Sequence, residues 1–274
     1  MLRSLTDVEK CVIAATDGEI GHAKDFYFDD ESWVVRFLVV EAGSWLDSRM
    51  VLISPIAIGT PDWSEKRLPV SLTREQVRKS PNIDTQKPVS RQMESDYLGY
   101  YGYQSYWGGS GLWWGGIYPN TGYGYGGEGA RWMPRQSRRD MASAYERMER
   151  IRHQNDDVHL RSCKAVIGYH IHASDGEIGH VQGMLFDQDT WAIRFLVVNT
   201  SNSWVGHSML VAPEWIEEIS WADASVTIGF SREAIKGAPA YDAKLHFDRS
   251  AEKGLFAHYG RKGFWSDAPS RPNI

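Results

Sequence analysis

DGEIGHAKDFYFDDESWVVRFLVV, residues 17–40, decides the architecture of this chain because it occurs twice. Residues 175–198 read DGEIGHVQGMLFDQDTWAIRFLVV, and 14 of the 24 positions are identical at an offset of 158. Outside this stretch, the same offset pairs residues 73–75 (TRE) with residues 231–233 (SRE). The chain of 274 residues therefore contains two copies of one unit.

The domain boundaries that we predict follow the ends of the repeated sequence. Residues 1–107 are the first copy with a carboxyl-terminal extension, residues 108–159 are a linker that does not repeat, and residues 160–274 are the second copy with its extension. Two copies are too few for a stacked repeat array, and each copy is long enough to bury its own core. We therefore expect a tandem duplication.

Each copy has the pattern of short β-strands. In the first copy, CVIAAT (11–16) leads into an Asp-Gly pair that is typical of a tight hairpin, and Gly21 in the next strand indicates a bulge. WVVRFLVV (33–40) is apolar at nearly every position, which predicts burial on both faces. A capped short helix is predicted at residues 74–80. No long amphipathic segment separates the strands, so we expect a mainly β unit, a small barrel with one short helix.

Composition excludes several functional classes. With 42% hydrophobic residues and a net charge of −5, the chain is neither disordered throughout nor a nucleic-acid-binding protein that relies on overall positive charge. No apolar run approaches the roughly 18–20 residues of a membrane helix, so we expect no membrane span. Two cysteines, Cys11 and Cys163, are too few for a disulfide framework, which predicts a cytoplasmic protein.

The repeated motifs are similar to those of one known family. Asp-Gly-x-Ile-Gly (17–21), Trp-x-x-Arg-Phe-Leu-Val-Val (33–40) and Met-Val-Leu-Ile-Ser-Pro (50–55) resemble the PRC-barrel domain. That domain occurs in the photosynthetic reaction-centre H subunit and in the ribosome maturation factor. The resemblance implies two six-stranded PRC-type barrels in tandem that bind other proteins and carry no active site. The extensions, residues 81–107 and 239–265, resemble bacterial tandem proteins described as reaction-centre-H-like.

Glu19 and His22, repeated as Glu177 and His180, are the residues that could form a metal or acid–base site. Glu19 and His22 are three positions apart, so on a regular strand their side chains point to opposite faces. They converge only if Gly21 makes a bulge. Motifs for a nucleophilic serine, a zinc protease or a phosphate loop are absent from the sequence. We therefore expect no catalytic residue, no metal and no cofactor.

Arg36 and Arg194 interrupt the most apolar strand of each copy. A guanidinium group in such a strand must be paired or must reach water along its aliphatic stem. Two interpretations stay open: an anion pocket, or a salt bridge to a carboxylate of a neighbouring strand such as Glu19 or Glu177. We favour the salt bridge and keep both arginines as possible interaction residues.

The linker and the segment before it are rich in aromatic residues and glycine. Residues 97–127 contain 11 aromatic residues and 11 glycines. We expect the part up to Trp107 to pack on the first barrel. The remainder either covers an apolar patch or recruits a partner. The aromatic residues that we select as candidates for an interaction are Trp113, Trp114, Tyr118, Tyr123 and Tyr125.

Residues 131–153 are basic, with seven arginines. DMASAYERMERIRH (140–153) places apolar residues on one stripe, which predicts a short amphipathic helix. Docking of this helix on a barrel, or on its counterpart in a dimer, is the interpretation we favour. Binding to RNA or to an anionic membrane surface is the alternative.

The function that these observations favour is that of a non-catalytic protein-binding adaptor or scaffold. Two like modules would raise avidity, either in a homodimer or as an internal pseudo-dimer. The first alternative is an RNA- or ribosome-associated assembly factor, against which the acidic net charge argues. The second is a metal-dependent enzyme, which the geometry of the Glu19 and His22 pair disfavours.

Overall fold

The computed structural model describes residues 1–43, 49–81, 83, 89, 91–103, 160–200, 207–243 and 247–263. Within these ranges the chain is mainly β, as expected, and its strands form two sheets. The predicted linker helix at residues 140–153 lies outside the described residues. Among the helices of the described part, none is long and apolar enough to cross a membrane.

In the part of the first repeat that the structure describes, there are six strands and three helices. Its strands are β1 (Leu2–Ser4), β2 (Val12–Ala15), β3 (Gly18–Asp29), β4 (Val34–Ala42), β5 (Arg49–Ile53) and β6 (Arg67–Pro69). Its helices are α1 (Leu5–Glu9), α2 (Arg74–Lys79) and α3 (Arg91–Tyr101), with a 3-10 turn at Pro55–Ala57. The predicted short helix is α2, and it begins with a capping box between Thr73 and Gln76. Helices α1 and α3 were not expected from the sequence.

The second repeat contains seven strands and three helices in the described ranges. Its strands are β7 (Leu160–Ser162), β8 (His170–Ala173), β9 (Gly176–Asp187), β10 (Ile193–Asn199), β11 (Ser208–Val211), β12 (Ile216–Ser220) and β13 (Ser225–Ile228). Its helices are α4 (Cys163–Val166), α5 (Arg232–Lys236) and α6 (Arg249–His258), with a 3-10 turn at Pro213–Trp215. Strands β2 and β3 recur as β8 and β9 at the offset of 158, so the duplication of sequence is a duplication of structure.

The two sheets have corresponding strand orders. The first runs β5-β4-β3-β2-β6 with β7 added to β3, and the second runs β11-β10-β9-β8-β13-β12 with β1 added to β9. Strand β2 pairs in parallel with β6 in the first sheet, and β8 pairs in parallel with β13 in the second. Neither path returns to its first strand within the described residues, so the predicted closed barrel is not seen there. In place of a further strand, helix α3 contacts the outer edge of β5, where the Leu52 amide donates a hydrogen bond to the Tyr97 hydroxyl.

The predicted bulge at Gly21 is confirmed. The register between β2 and β3 shifts where Gly21 and Glu19 face consecutive residues of β2. Gly21 has φ +153°, and a Cβ atom there would lie 1.9 Å from the carbonyl oxygen of Glu41. Gly179 repeats this geometry, since its Cβ atom would lie 1.9 Å from the carbonyl oxygen of Asn199. Glycine is therefore required because two backbones approach too closely for any side chain.

The strand after the hairpin is buried as the sequence predicts. Residues 34–40 of β4 are buried without interruption, including Arg36. The core of this region joins Phe37, Val39 and Leu52 of the sheet to Tyr97 and Leu98 of α3. The expectation that the start of the aromatic segment packs on the first sheet is therefore confirmed for its described residues, up to residue 103.

The short first strand of each repeat joins the sheet of the other repeat. In β7, Leu160, Arg161 and Ser162 pair antiparallel with the end of β3. In the same way β1, whose residues Leu2–Ser4 have the identical sequence, pairs with β9. The exchange is therefore reciprocal.

Two compact units result, and each contains segments of both repeats. The first unit comprises the described residues of Ser4–Ala165 and Asp187–Ile193, and the second those of Met1–Arg3, Val166–Phe186 and Arg194–Ile274. The predicted boundaries at residues 107 and 160 follow the repeats in sequence and stay a prediction.

Within the first unit, equivalent residues of the two repeats make equivalent hydrogen bonds. The Val35 amide donates to the carbonyl of Trp191 at 2.9 Å, and the Ile193 amide donates to the carbonyl of Trp33 at 2.7 Å. Residues 33 and 35 correspond to 191 and 193 at the repeat offset of 158. The two hydrogen bonds are therefore equivalent under the repeat.

Candidate functional site

The Asp-Gly pair of the signature connects the hairpin to the short helix that follows the sheet. Oδ1 of Asp17 accepts a hydrogen bond from the amide of Arg74 at 2.8 Å, and Oδ1 of Asp175 accepts one from the amide of Arg232 at 2.7 Å. A Cβ atom at Gly18 would lie 3.0 Å from Cδ of Arg74. The signature therefore has a structural role in both repeats, which extends the turn role expected for the aspartate.

Beside this contact, the first unit has an open cleft of about 570 Å³. It lies between the β2–β3 hairpin, the end of β4, the start of β5 and helix α2. Apolar side chains that line it include Ile20, Ala42 and Val77. The charged side chains that line it are Asp17, Glu19, Arg49, Arg74, Glu75 and Arg78.

The negative charge of Glu75 is paired with two cationic side chains on its own helix. Its two carboxylate oxygens accept from Nε and Nη2 of Arg78, both at 2.8 Å, and Nζ of Lys79 lies 2.9 Å away. The hydrogen bond from Arg78, and next that from Lys79, lowers the pKa of Glu75 to about 2. The negative charge of Glu75 is thus already compensated.

Arg49 keeps its positive charge without a carboxylate partner in the described residues. Its Nη1 and Nη2 atoms donate to the carbonyl oxygens of Arg78 and Ser80, at the end of α2. Cations are favourable near the carboxyl end of a helix because the free carbonyl groups point there. These two neutral acceptors hold the guanidinium group in place beside the cleft but leave its charge uncompensated.

Three further charged groups of the cleft keep open hydrogen-bonding capacity. The guanidinium group of Arg74 makes no hydrogen bond or ion pair within the described ranges. Oδ2 of Asp17 likewise has no partner among the described residues, because only its Oδ1 accepts from the Arg74 amide. Glu19 lies at the distance limit of an ion pair, with Oε1 4.0 Å from Nη1 of Arg67.

The equivalent positions of the second repeat are occupied differently. Arg232, the counterpart of Arg74, has its Nε atom 3.6 Å from Oδ2 of Asp175. The hydrogen bond from the Arg232 amide, aided by the charge of its side chain, lowers the pKa of Asp175. His207 stands where the first repeat has Arg49. The two repeats therefore share a backbone but differ in the charges that they present.

Arg36 is only 2% exposed, and its contacts are structural. Its Nη2 donates to Oγ of Ser32 at 2.9 Å, and the same Oγ donates to Oδ1 of the buried Asp29 at 2.8 Å. Arg36 lies beside the end of β3, whereas Glu19 lies at its beginning. Glu19 is therefore not the partner of Arg36.

Arg194 is half-buried and lies near Glu214. Burial has the largest effect on the pKa of Glu214 and raises it, while the positive charges of Arg194 and Arg261 lower it. Glu177, the carboxylate proposed for Arg194, instead accepts a hydrogen bond at its Oε1 from Nδ1 of His170 at 2.9 Å. Glu19 is thus not the partner of Arg36, and Glu177 is not the partner of Arg194.

The histidines of the signature are used separately. Nδ1 of His22 lies 3.1 Å from the carbonyl oxygen of Cys11, and His180 faces His170 across the β8–β9 pair. Within the described residues, no group of three or more His, Cys, Asp and Glu side chains is arranged to hold a metal ion. Glu19 and His22 are not brought together in the first repeat.

The aromatic interaction candidates, Trp113, Trp114, Tyr118, Tyr123 and Tyr125, lie outside the described residues, and their role stays a prediction. The described aromatic residues just before them are structural. Tyr97 contacts Phe37 edge to face at 6.0 Å between ring centroids, and Tyr101 stacks on Tyr103 at 5.8 Å. Tyr97 is consequently part of the core, and Tyr101 and Tyr103 pack against it.

Sequence reasoning missed four residues that the structure singles out. Arg49 and Arg74 line the cleft, and Glu94 and Glu252 are buried carboxylates on α3 and α6, 1% and 4% exposed. Nη1 of Arg249 donates to Glu252 at 2.6 Å. The signal for the two glutamates was present, because 94 and 252 are related by the repeat offset.

Comparison with known proteins assigns no family to this chain. No protein-family model matches it, and no curated protein matches it significantly. Its function must therefore be argued from its own residues.

Proposed function

We propose that this chain is a non-catalytic protein-binding scaffold built from two PRC-type modules. The observation that carries the proposal is the reciprocal exchange of β1 and β7 between the sheets of a duplicated unit. Such an exchange links the two copies as an internal pseudo-dimer, so that neither sheet is complete without the other repeat. A doubled module offers two related surfaces to protein partners, which raises avidity when both are engaged.

The use of the signature's polar residues supports a binding role rather than a catalytic one. Asp17 fixes the start of α2, His22 contacts a backbone carbonyl, and Arg36 reaches Asp29 through Ser32. Each of these groups serves the packing of strands and helix.

The PRC-type assignment rests on the repeated signature and on the matching strand content of the repeats. Isolated bridges from Ile58 to Val70 and from Asp62 to Arg67 occupy the positions of the β12–β13 hairpin in the second repeat. Both repeats therefore share one strand pattern, to which we assign the six-stranded barrel. We further propose a cytoplasmic setting, which the two buried free thiols, Cys11 and Cys163, support. A bacterial origin is proposed from the resemblance of the two extensions alone.

Affinity purification with mass spectrometry tests the proposal. The full chain is compared with a variant in which residues 108–153 are replaced by a glycine-serine linker of equal length. This replacement spares Tyr97 and Tyr101, whose rings pack in the first unit. Recovery of one partner by both proteins assigns binding to the modules, and recovery by the full chain alone assigns it to the linker. Turnover of a substrate by the pure protein, with no partner recovered, contradicts the proposal.

Sedimentation with ribosomes separates the scaffold from an RNA-associated factor. Association through phosphate groups falls steeply with salt, because each neutralised phosphate releases counterions. The scaffold proposal predicts no ribosome association at physiological salt. Co-sedimentation that decreases steeply across a salt series would favour the assembly-factor alternative.

A further inference from the structure

The cleft of the first repeat keeps positive charge that the second repeat has lost or paired. Arg74 is unpaired within the described residues, whereas its counterpart Arg232 lies 3.6 Å from Asp175. Arg49 is held by two carbonyl oxygens, whereas His207 occupies its place in the second repeat. The duplicated backbone therefore presents two uncompensated guanidinium groups in one copy only.

The same cleft also keeps negative charge. Oδ2 of Asp17 accepts no hydrogen bond within the described ranges, and Glu19 has only the 4.0 Å contact to Arg67. The side chains of Glu19 and Arg67 are 66% and 52% exposed, and solvent weakens an ion pair of this kind. Cationic and anionic groups with spare capacity thus line one cleft, together with the apolar side chains of Ile20 and Val77.

We propose that this cleft binds a segment of a partner protein in which an acidic and a basic side chain are adjacent. The inference rests on the proposed scaffold function and names the chemistry of the partner. The acidic side chain pairs with Arg74, with Arg49 adding attraction, and the basic side chain pairs with Asp17 and Glu19. The volume of about 570 Å³ lies within the range of sites that bind small ligands.

The mixed charge of the cleft disfavours the other ligand classes. A nucleic acid or another polyanion would bring phosphate groups close to Asp17 and Glu19, where like charges repel. A purely basic segment would meet Arg49 and Arg74 in the same way. A ligand of alternating charge meets complementary groups on both sides, and electrostatic complementarity of this kind confers specificity.

A labelled hexapeptide, Glu-Lys-Glu-Lys-Glu-Lys, is the probe, and its binding to the full chain is followed by fluorescence polarisation. Arg74→Gln is expected to weaken binding about fivefold, the effect of one partly exposed charge pair. Arg232→Gln is the matched control, and it is expected to change the Kd less than about twofold because that guanidinium already faces Asp175. Asp17→Asn retains an acceptor for the Arg74 amide, and it should weaken binding without lowering the Tm.

Side-chain NMR locates the bound peptide. The proposal predicts that the Nε–Hε signal of Arg74 shifts on addition of the peptide and that the signal of Arg232 does not. Equal weakening by Arg74→Gln and Arg232→Gln, or an unshifted Arg74 signal, overturns the inference. Tighter, Arg74-dependent binding of hexaglutamate or of a single-stranded RNA overturns it as well, in favour of an anion site.

Partner capture separates failure of this inference from failure of the scaffold proposal. If the full chain recovers a partner and Arg74→Gln recovers it equally well, the cleft assignment is wrong and the scaffold stands. If the peptide binds in an Arg74-dependent manner but no protein is captured, the charge preference stands and the scaffold proposal fails. Loss of the captured partner in Arg74→Gln, with retention in Arg232→Gln, supports both.

Discussion

Truncation of Leu160 tests whether the repeats exchange strands, because this residue belongs to the second repeat in sequence and to the first unit in structure. Leu160 is 5% exposed and packs in one cluster with Tyr27, Phe37 and Tyr97. A Leu→Ala change in a closed core removes packing contacts and leaves a cavity, so we expect Leu160→Ala to lower the free energy of unfolding by about 3 kcal/mol.

Denaturant titration measures this loss, and residue-resolved hydrogen exchange shows where it falls. We expect faster exchange in the part of β3 that pairs with β7, residues 27–29, and in the neighbouring β4. Leu2→Ala is the matched control because Leu2 occupies the equivalent position of β1. Leu2 is only half-buried, so its truncation should cost about 1 kcal/mol and should affect β9.

The opposite pattern of exchange refutes the reasoning. In a chain whose repeats fold without exchange, Leu160→Ala would loosen residues 185–187 of β9 and leave residues 27–29 unchanged. A loss below about 0.5 kcal/mol, the usual range of a surface substitution, would likewise show that Leu160 is not in the core.

Three other predictions concern residues whose environment differs sharply from that of a matched control. Tyr259→Phe should leave stability unchanged or raise it by about 1 kcal/mol, because this buried hydroxyl has no hydrogen-bond partner in the described residues. Its control, Tyr97→Phe, should cost about 1–3 kcal/mol because it leaves the buried Leu52 amide without its acceptor. Thermal and denaturant unfolding measure both changes. Burial raises the pKa of Tyr259 from 10.0 to about 12, so between these pH values the folded state keeps a proton that the unfolded chain releases. The free energy of unfolding should therefore fall from pH 10 to 12, and it should fall less steeply in Tyr259→Phe. Unfolding titrations at alkaline pH measure both slopes. Gly21→Ala should cost about 3 kcal/mol or more, because its Cβ atom would lie 1.9 Å from a backbone oxygen. Its control, Gly183→Ala, should be neutral or stabilising, because the nearest atom to its Cβ lies at 3.9 Å. Equal Tm values for the two variants would contradict the bulge geometry.

Local features of the fold could be predicted from the sequence because short-range pattern determines them. The uninterrupted apolar run of residues 33–40 indicated burial on both faces, and Gly21 inside a strand indicated a bulge. Thr73 marked the start of α2, and the structure adds its capping box. In each case a single stretch of residues contains the whole physical cause.

The exchange of strands could not be predicted, because the two possible pairings use the same residues. Leu-Arg-Ser occurs at 2–4 and again at 160–162, and the strands that receive these segments, β9 and β3, are also equivalent in the two repeats. Pairing within a repeat and pairing between repeats therefore have similar local energies. The sequence pattern identifies the strands but not which copy each one joins.

The candidate site was predicted only in part for a related reason. Arg36 was recognised as unusual in an apolar strand, but its contacts depend on the register between β3 and β4, which places it near Phe28 and far from Glu19. The cleft depends on Arg49 and Arg74, which are far apart in sequence and meet only when β5 and α2 pack beside the hairpin. Helix α3 also escaped prediction, since its tyrosines and glycine favour no regular structure by pattern alone.

The contact between Phe28 and Arg161 offers the most direct measurement of the central claim. These residues face each other across β3 and β7, so a nuclear Overhauser effect between their backbone protons reports the exchange itself. In a deuterated, amide-protonated sample of the full chain, our account predicts backbone contacts from residues 160–162 to residues 27–29. Contacts from residues 160–162 to residues 185–187 instead would contradict it.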